Sequence, residues 1–152
     1  MSTSLASSLG LAKIASTDTI REVLRTQISS TARPALHRSS FEPAEGSATE
    51  DWKETVQALS EGVLAVIERA ISKGTDLLLE GVHYLPNKEV IDLWREAGGV
   101  AIGVVLYVSS EERHRGMIAN REKHNGKKVD HYLGNLNRIR EIQEELVLLG
   151  SE

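Results

Sequence analysis

The 152-residue sequence contains no cysteine, which excludes disulfides, cysteine-ligated zinc and thiol nucleophiles. It has no apolar run of about 18 residues, so a membrane-spanning helix is not expected. Residues 1–10 lack the basic and long apolar segments of a signal peptide. The net charge of −4 gives no electrostatic reason to expect nucleic acid or a membrane surface as a partner. We therefore expect a single cytoplasmic domain with its own hydrophobic core.

Hydrophobic patterning predicts strands and helices in alternation. Strands are predicted at residues 11–15 and 76–82, and a stronger one at residues 100–108, which is apolar on both faces. Helices are predicted at residues 2–9, 19–27, 51–73, 88–97, 110–123 and 130–149. The helix at residues 51–73 is predicted to carry one apolar stripe, because these residues keep a spacing of three to four: Trp52, Val56, Leu59, Val63, Ile67 and Ala70. Residues 29–50 lack periodicity, which predicts a long loop. This order predicts an α/β fold whose parallel sheet carries helices on both faces.

Residues suited to helix ends support these boundaries. Gly10 and Gly74 are expected to end the helices before them, because glycine readily adopts the positive φ of a helix C-cap. Ser47 and Glu50 have the spacing of a capping box ahead of the long helix at residues 51–73.

Asp18 is predicted to lie where the first strand ends and a helix begins. In phosphoryl-transfer enzymes a carboxylate at this place accepts the proton of the substrate hydroxyl or orients the metal. The alternative is that Asp18 or Thr17 caps the helix, which is the commoner role of such a residue taken alone. Arg21 and Arg25 lie four residues apart and share one helix face, either as a clamp for phosphate or carboxylate or as a solvated face.

Glu80 directly follows three leucines, at the end of the second predicted strand. A carboxylate there would hold the shell of a magnesium ion, and Gly81 would let the backbone approach a ligand closely. The alternative is a strand-end carboxylate that simply meets water. His83 is expected to be structural or to contact substrate, because the five histidines lack metal-ligand spacing.

A basic block follows the third predicted strand. Its members are Arg113, Arg115, Arg121 and Lys123, within a segment at residues 110–128 that has the features of a lid. A mobile basic helix could close over polyphosphate and bring positive charge to the transferring group. The alternative is an ordinary solvated helix, because glutamates alternate with the basic residues.

Together these segments resemble the 2-phosphoglycerate kinase family of P-loop proteins. The matching pieces are Ser16-Thr17-Asp18-Thr19-Ile20-Arg21, Leu79-Glu80-Gly81-Val82-His83, the block at residues 113–121 and the segment at residues 132–143. The resemblance implies a three-layer α/β/α fold of the P-loop NTPase type over residues 1–152. It also implies phosphorylation of a small phosphorylated acid, typically 2-phosphoglycerate, with ATP as donor and Mg²⁺ as cofactor.

The same resemblance implies roles for individual residues. Catalysis is assigned to Asp18, Arg113 and Arg121. Substrate binding is assigned to Arg21, Arg25 and His83. Nucleotide binding is assigned to Thr3 and Arg115, and metal binding to Thr3 and Glu80.

The sequence departs from the family at its phosphate loop, which ends in Gly-Lys-Ser/Thr. Aligned without gaps, Ser2 falls on the lysine and Thr3 on the magnesium-binding hydroxyl. Ser2 brings no positive charge to the phosphates, and the rest of the loop, with its backbone N–H groups, is expected to be absent. The loss of several such interactions is expected to weaken ATP binding by orders of magnitude. The strand before the loop and a strand after the last helix are also expected to be absent. The sheet would then be incomplete at both ends, with open edges that favour homo-oligomers.

Two alternatives to an impaired kinase follow from these features. One is a non-catalytic module that binds a phosphorylated metabolite or a protein partner through the same cleft. The other is a competent enzyme whose start codon was placed too far downstream. Ser2 speaks against it, because an extended N-terminus would restore the glycines and not the lysine, so an unusual loop with another cation would be needed.

Overall fold

A computed structural model of the chain describes residues 2–85, 87–125 and 129–151, without the side chains of residues 122–125. In chain order its elements are α1 (Ser2–Leu9), β1 (Ile14–Ser16), α2 (Thr17–Gln27), a short 3₁₀ helix (Pro34–His37), α3 (Ala48–Ser72), β2 (Leu78–Glu80), α4 (Lys88–Glu96), α5 (Glu111–Asn125), α6 (Val129–Gly134) and α7 (Leu136–Leu149). They are distributed over two units, one of Met1–Ser40 and Lys53–Gly103 and the other of Phe41–Trp52 and Val104–Glu152.

The two strands pair in parallel, which confirms the predicted α/β class with a parallel sheet. Ser16 at the end of β1 lies opposite Glu80 at the end of β2. The backbone N–H of Leu78 donates to the carbonyl of Lys13 at 2.9 Å, just before this pairing begins. A parallel pair needs a long crossover connection, and α2 and α3 lie within that connection. Both strands are three residues long, shorter than the predicted segments.

The core of the first unit forms along one stripe of α3, where apolar residues recur every four positions. Its buried members are Leu36, Leu59, Val63 and Ile67. Apolar side chains of α2, β2 and α4 pack around them. Helix α2 approaches α3 closely at Gly62, where a Cβ atom would lie 3.0 Å from Cγ2 of Ile20. The apolar stripe predicted for the long helix is therefore confirmed.

The predicted helix ends are largely confirmed. The N–H of Ser47 donates to Oε2 of Glu50 at 2.8 Å, and the N–H of Glu50 donates to Oγ of Ser47 at 3.3 Å. This reciprocal pair is the predicted capping box, and α3 begins directly after Ser47. Gly10 and Gly74 have φ values of 68° and 56°, as expected of residues that end a helix.

The predicted strand at residues 100–108 is wrong: this segment forms no regular secondary structure. Four alternate side chains are exposed, with fractions between 70% and 85%: Val100, Ile102, Val104 and Leu106. A parallel strand is stable only when neighbouring strands satisfy its backbone and helices cover both of its faces. Within the described residues this segment pairs with no strand, so its apolar pattern alone does not produce one.

The predicted helix at residues 130–149 is interrupted at Asn135, which separates α6 from α7. The side-chain Nδ2 of Asn135 donates to the carbonyl of His131 at 2.9 Å. Such local side-chain hydrogen bonds compete with helical backbone bonds, and this explains the break.

A buried ion pair organises the second unit. The carboxylate of Asp51, which is 4% exposed, pairs with the guanidinium of Arg138. It also accepts hydrogen bonds from the N–H groups of Ala44 at 2.9 Å and Gly46 at 3.0 Å. Nε of Arg138 donates to the carbonyl of Phe41 at 3.0 Å. Burial raises the pKa of Asp51, but the two amides and Arg138 outweigh it, so the pKa lies below its usual value.

None of the described helices combines the length and the hydrophobicity needed to cross a lipid bilayer.

Candidate functional site

The strand pairing brings together the two segments that carry the candidate chemistry. Because Ser16 lies opposite Glu80, the chain leaves both strands at the same end of the sheet. Asp18 follows β1 by two residues, and His83 follows β2 by three. In open α/β sheets the carboxyl ends of the strands are where ligands bind.

Asp18 does not cap α2. The N-cap is Ser16, whose Oγ accepts a hydrogen bond from the N–H of Asp18 at 3.2 Å. The prediction of Asp18 or Thr17 as the cap is therefore wrong, because α2 begins at Thr17, two residues before the predicted helix start at residue 19. The Asp18 side chain is 66% exposed, and its Oδ1 lies 3.3 Å from Nη2 of Arg21. Its carboxylate thus reaches solvent at the strand end instead of binding the backbone.

The two arginines of α2 lie in different surroundings. Arg21 is only 15% exposed, and its Nη1 is 3.4 Å from the carbonyl of Arg38. Its buried Nε has no hydrogen-bond partner within the described residues. Arg25 is more exposed and pairs with Glu22 at 2.7 Å. Arg21 therefore faces the strand-end site, with an unused hydrogen-bond donor.

His83 is buried between groups from two other segments of the chain, the start of α2 and the loop that contains Ser40. Its Nδ1 lies 3.1 Å from Oγ1 of Thr17 and 3.8 Å from Oδ1 of Asp18. Its Nε2 is in hydrogen-bond contact with Oγ of Ser40. Burial, followed by the charge of Arg21, lowers the pKa of His83 to about 4, although Asp18 acts in the opposite direction. The imidazole is therefore uncharged at neutral pH.

Gly81 makes the closest approach between the two strand ends. Its φ is 135°, which L side chains rarely adopt, and a Cβ atom there would lie 1.9 Å from Oγ1 of Thr17. Glycine at this position therefore allows the segment after β2 to lie against the first residue of α2.

Glu80 is half-buried and forms no ion pair within the described residues. No group of three or more His, Cys, Asp or Glu side chains among those residues could hold a metal by itself. Magnesium sites on kinases usually need one or two carboxylates, with waters and phosphates completing the shell, so Glu80 fits such a site. Thr3 lies at an exposed position in the first turn of α1, a helix that contacts both strands.

The basic block lies on α5, in the second unit. Arg113 is exposed, and Arg115 pairs with Glu111 at 3.3 Å. The guanidinium of Arg121 lies 5.1 Å from the ring centre of Tyr132, a cation–π contact. The side chain of Lys123 and residues 126–128 of the lid-like segment lie outside the described residues.

Two residues that stabilise the strand-end site or the second unit were not predicted from the sequence. Ser40 lies in the segment predicted as a loop and reaches His83 across 43 residues of chain. In the sequence, Asp51 has the position of an ordinary carboxylate in the first turn of a helix. Its partner Arg138 lies 87 residues away, so the pair is visible only in the structure. The only available signal for Ser40 was that long loops tend to be functional.

The fold and the site define an α/β domain. The ends of its two parallel strands are followed or closed by Asp18, Arg21, Glu80 and the buried His83. No model of a known protein family matches the chain, and no solved structure does. It is similar to curated proteins named 2-phosphoglycerate kinase.

Three of these relatives are archaeal. The protein of Pyrococcus horikoshii is 30% identical over 97% of this chain and 50% of its own length. That of Pyrococcus furiosus is 32% identical over 100% of this chain and 51% of its own. That of Methanococcus vannielii is 33% identical over 97% of this chain and 51% of its own length. By this similarity nearly the whole chain is related to the 2-phosphoglycerate kinases, and it spans about half the length of these relatives.

Proposed function

We propose that this chain forms the acceptor side of a phosphotransferase site for a small phosphorylated acid of the 2-phosphoglycerate type. One observation carries the proposal: the pairing of Ser16 with Glu80 puts both motif carboxylates at the same end of the parallel sheet. The names of the relatives support the substrate class. Because the chain spans about half of their length, the reaction itself is part of the proposal.

In this proposal Asp18 accepts the proton of the attacking substrate hydroxyl. It is exposed and does not bind the backbone, as that role requires. Arg21 and Arg25 hold the carboxylate and phosphate of the substrate, because a guanidinium binds such groups through two parallel hydrogen bonds. Arg113 and Arg121 are proposed to bring positive charge to the transferring group.

The proposed donor is ATP, with Mg²⁺ held by Glu80 and the hydroxyl of Thr3. Bound magnesium neutralises charge on the phosphates during transfer. The carboxylate of Glu80, which has no ion-pair partner within the described part of the chain, suits this ion. Arg115 is proposed as a nucleotide contact. The residues that the structure describes do not form a glycine-rich cradle for a triphosphate, so the fit to ATP is much poorer than the fit to the acceptor.

ATP binding by these 152 residues is expected to be weak. Ser2 stands where the family's phosphate loop has lysine, and serine carries no charge to the β- and γ-phosphates. Each charge-assisted hydrogen bond lost from such a loop is worth about 1.5–3 kcal/mol. We therefore propose an impaired kinase.

A second candidate function is a non-catalytic module that binds a phosphorylated metabolite or a protein partner. It is favoured by the contrast between an organised acceptor side, around Asp18 and Arg21, and a nucleotide side without its lysine. The two candidates share their ligand class and differ in phosphoryl transfer.

A further copy of the chain is the proposed macromolecular partner, through the exposed apolar residues at 100–107. Exposed apolar side chains that follow one another so closely in the chain normally pair or pack. The cytoplasm is the proposed location, because the lack of cysteine fits a reducing compartment.

Calorimetric titration of Mg-ATP, followed by an assay of 2-phosphoglycerate phosphorylation, tests the proposed reaction. We expect weak nucleotide binding and at most trace turnover, which Asp18→Asn should remove while the control Glu68→Gln leaves it unchanged. Robust turnover by the 152 residues would contradict the impairment. Phosphoglycerate binding with no turnover, even at saturating Mg-ATP, would favour the non-catalytic module.

A further inference from the structure

Both nitrogens of the buried His83 ring have hydroxyl partners. Oγ1 of Thr17 lies 3.1 Å from Nδ1, and Oγ of Ser40 contacts Nε2. Each hydroxyl can donate or accept, so the hydroxyls alone do not decide which nitrogen carries the proton. The ring is 2% exposed, which leaves water no access as an alternative partner.

The Asp18 carboxylate decides the tautomer. Its Oδ1 lies 3.8 Å from Nδ1, and a carboxylate can only accept a hydrogen bond. A lone pair on Nδ1 would face this negative charge, whereas an N–H there is attracted to it. The proton therefore belongs on Nδ1, with the Ser40 hydroxyl donating to Nε2.

We propose that His83, protonated on Nδ1 and not on Nε2, is a positioning residue that joins the first turn of α2 to Ser40 and thereby fixes Asp18. The role in positioning Asp18 for substrate rests on the proposed function, whereas the tautomer does not. His83 reaches no ligand itself, because its ring is enclosed by the protein. It differs in this from a residue that contacts substrate directly.

The charged groups that face the ring are Asp18 and Arg21, both from α2. Burial and Arg21 keep the ring neutral, and a neutral ring is needed if Nε2 is to accept from Ser40. Arg21 also pairs with Asp18. Oδ1 of Asp18 therefore lies 3.3 Å from Nη2 of Arg21 and 3.8 Å from Nδ1 of the His83 ring.

Nitrogen-detected NMR of the histidine rings in the full chain tests the tautomer directly. His37 is an internal reference for the opposite tautomer: its Nε2 lies 2.8 Å from the carbonyl of Ile28, which can only accept. We expect a proton on Nδ1 of His83 and on Nε2 of His37. A proton on Nε2 of His83, or on both of its nitrogens at neutral pH, would overturn the proposal.

Two amide substitutions test the positioning role. His83→Asn puts an amide near the position of Nδ1 and keeps a donor for Thr17, whereas His83→Gln reaches the position of Nε2 and keeps the contact to Ser40. With 2-phosphoglycerate as probe, we expect Kd to rise about fivefold in His83→Gln and less than about twofold in His83→Asn, since one hydrogen bond, at about 1 kcal/mol, corresponds to a factor of about five.

A purely structural role predicts a different pattern, in which the affinities of both variants follow their melting temperatures. That result would overturn the positioning role even if the tautomer is as proposed. If the unsubstituted chain does not bind 2-phosphoglycerate, the proposed function fails while the NMR result still decides the tautomer.

Discussion

A Cβ atom at Gly81 would lie 1.9 Å from Oγ1 of Thr17, a distance no two such atoms tolerate. The segment that follows β2 therefore lies directly against the start of α2, and this contact holds the two strand-end motifs together. His83 extends the same contact, since its Nδ1 lies 3.1 Å from the same Thr17 hydroxyl.

Gly81→Ala should destabilise the fold by about 2–4 kcal/mol, from the overlap with Thr17 and from backbone strain. Gly10→Ala is the matched control, because Gly10 also has positive φ but no atom within 4 Å of its Cβ position. It should cost only about 1–2 kcal/mol, the strain alone. Urea unfolding of both variants measures the difference, and equal losses would contradict the close approach at Thr17.

Asp51→Asn should destabilise the chain by about 3–5 kcal/mol, because it leaves the largely buried Arg138 without its counter-charge. Glu22→Gln is the control, since it removes an exposed ion pair with Arg25 and should cost at most about 0.5 kcal/mol. Thermal denaturation followed by circular dichroism compares them. An Asp51→Asn variant as stable as the control would show that the pair does not organise the second unit.

Stability should fall as the pH drops from about 6.5 to about 4. The pKa of His83 is lowered to about 4 in the folded state, so the unfolded chain binds more protons in this pH window. The free energy of unfolding therefore decreases as the pH falls. A shift of this size is worth about 3 kcal/mol at most. Burial, with Arg140 and Arg121, also lowers the pKa of His114, which adds a smaller loss.

Urea unfolding at a series of pH values measures this loss, with His83→Asn as the comparison. The variant should keep only the smaller part that His114 contributes. An unchanged pH dependence in His83→Asn would show that His83 is not the group responsible for the loss of stability. Below this window a further loss is expected, because Asp51, whose pKa is lowered, must then take up a proton.

Replacing Ile102 and Leu106 by lysine should reduce self-association, because both side chains are apolar and largely exposed. Leu93→Lys, at another exposed apolar position, is the control. Sedimentation velocity at several concentrations measures the oligomeric state. If the unsubstituted chain remains a monomer at high concentration, the proposed self-association through residues 100–107 is wrong.

Much of this fold follows from local sequence patterns. The stripe through Leu59, Val63 and Ile67 and the capping box at Ser47 depend on neighbouring residues, and both are confirmed. The parallel pairing was also predictable, because strands and helices alternate along the chain.

The remaining features depend on contacts between distant residues. The apolar segment at residues 100–108 has the composition of a strand, but a strand also needs a partner, which the pattern does not contain. The contact of Ser40 with His83 and that of Asp51 with Arg138 arise only when the chain is folded. The candidate site was therefore predictable as two motifs, whereas the groups that hold it in place were not.

The proposed acceptor site at the strand ends can be tested by calorimetric titration of 2-phosphoglycerate into the folded chain, its Arg21→Gln variant and the control Arg33→Gln. Circular dichroism first verifies that all three are folded. We expect saturable binding that weakens about tenfold or more in Arg21→Gln, because a charge-assisted hydrogen bond is worth about 1.5–3 kcal/mol, and that is unchanged in Arg33→Gln. No binding by the folded chain, or equal affinity in all three, would contradict an acceptor site at the strand ends.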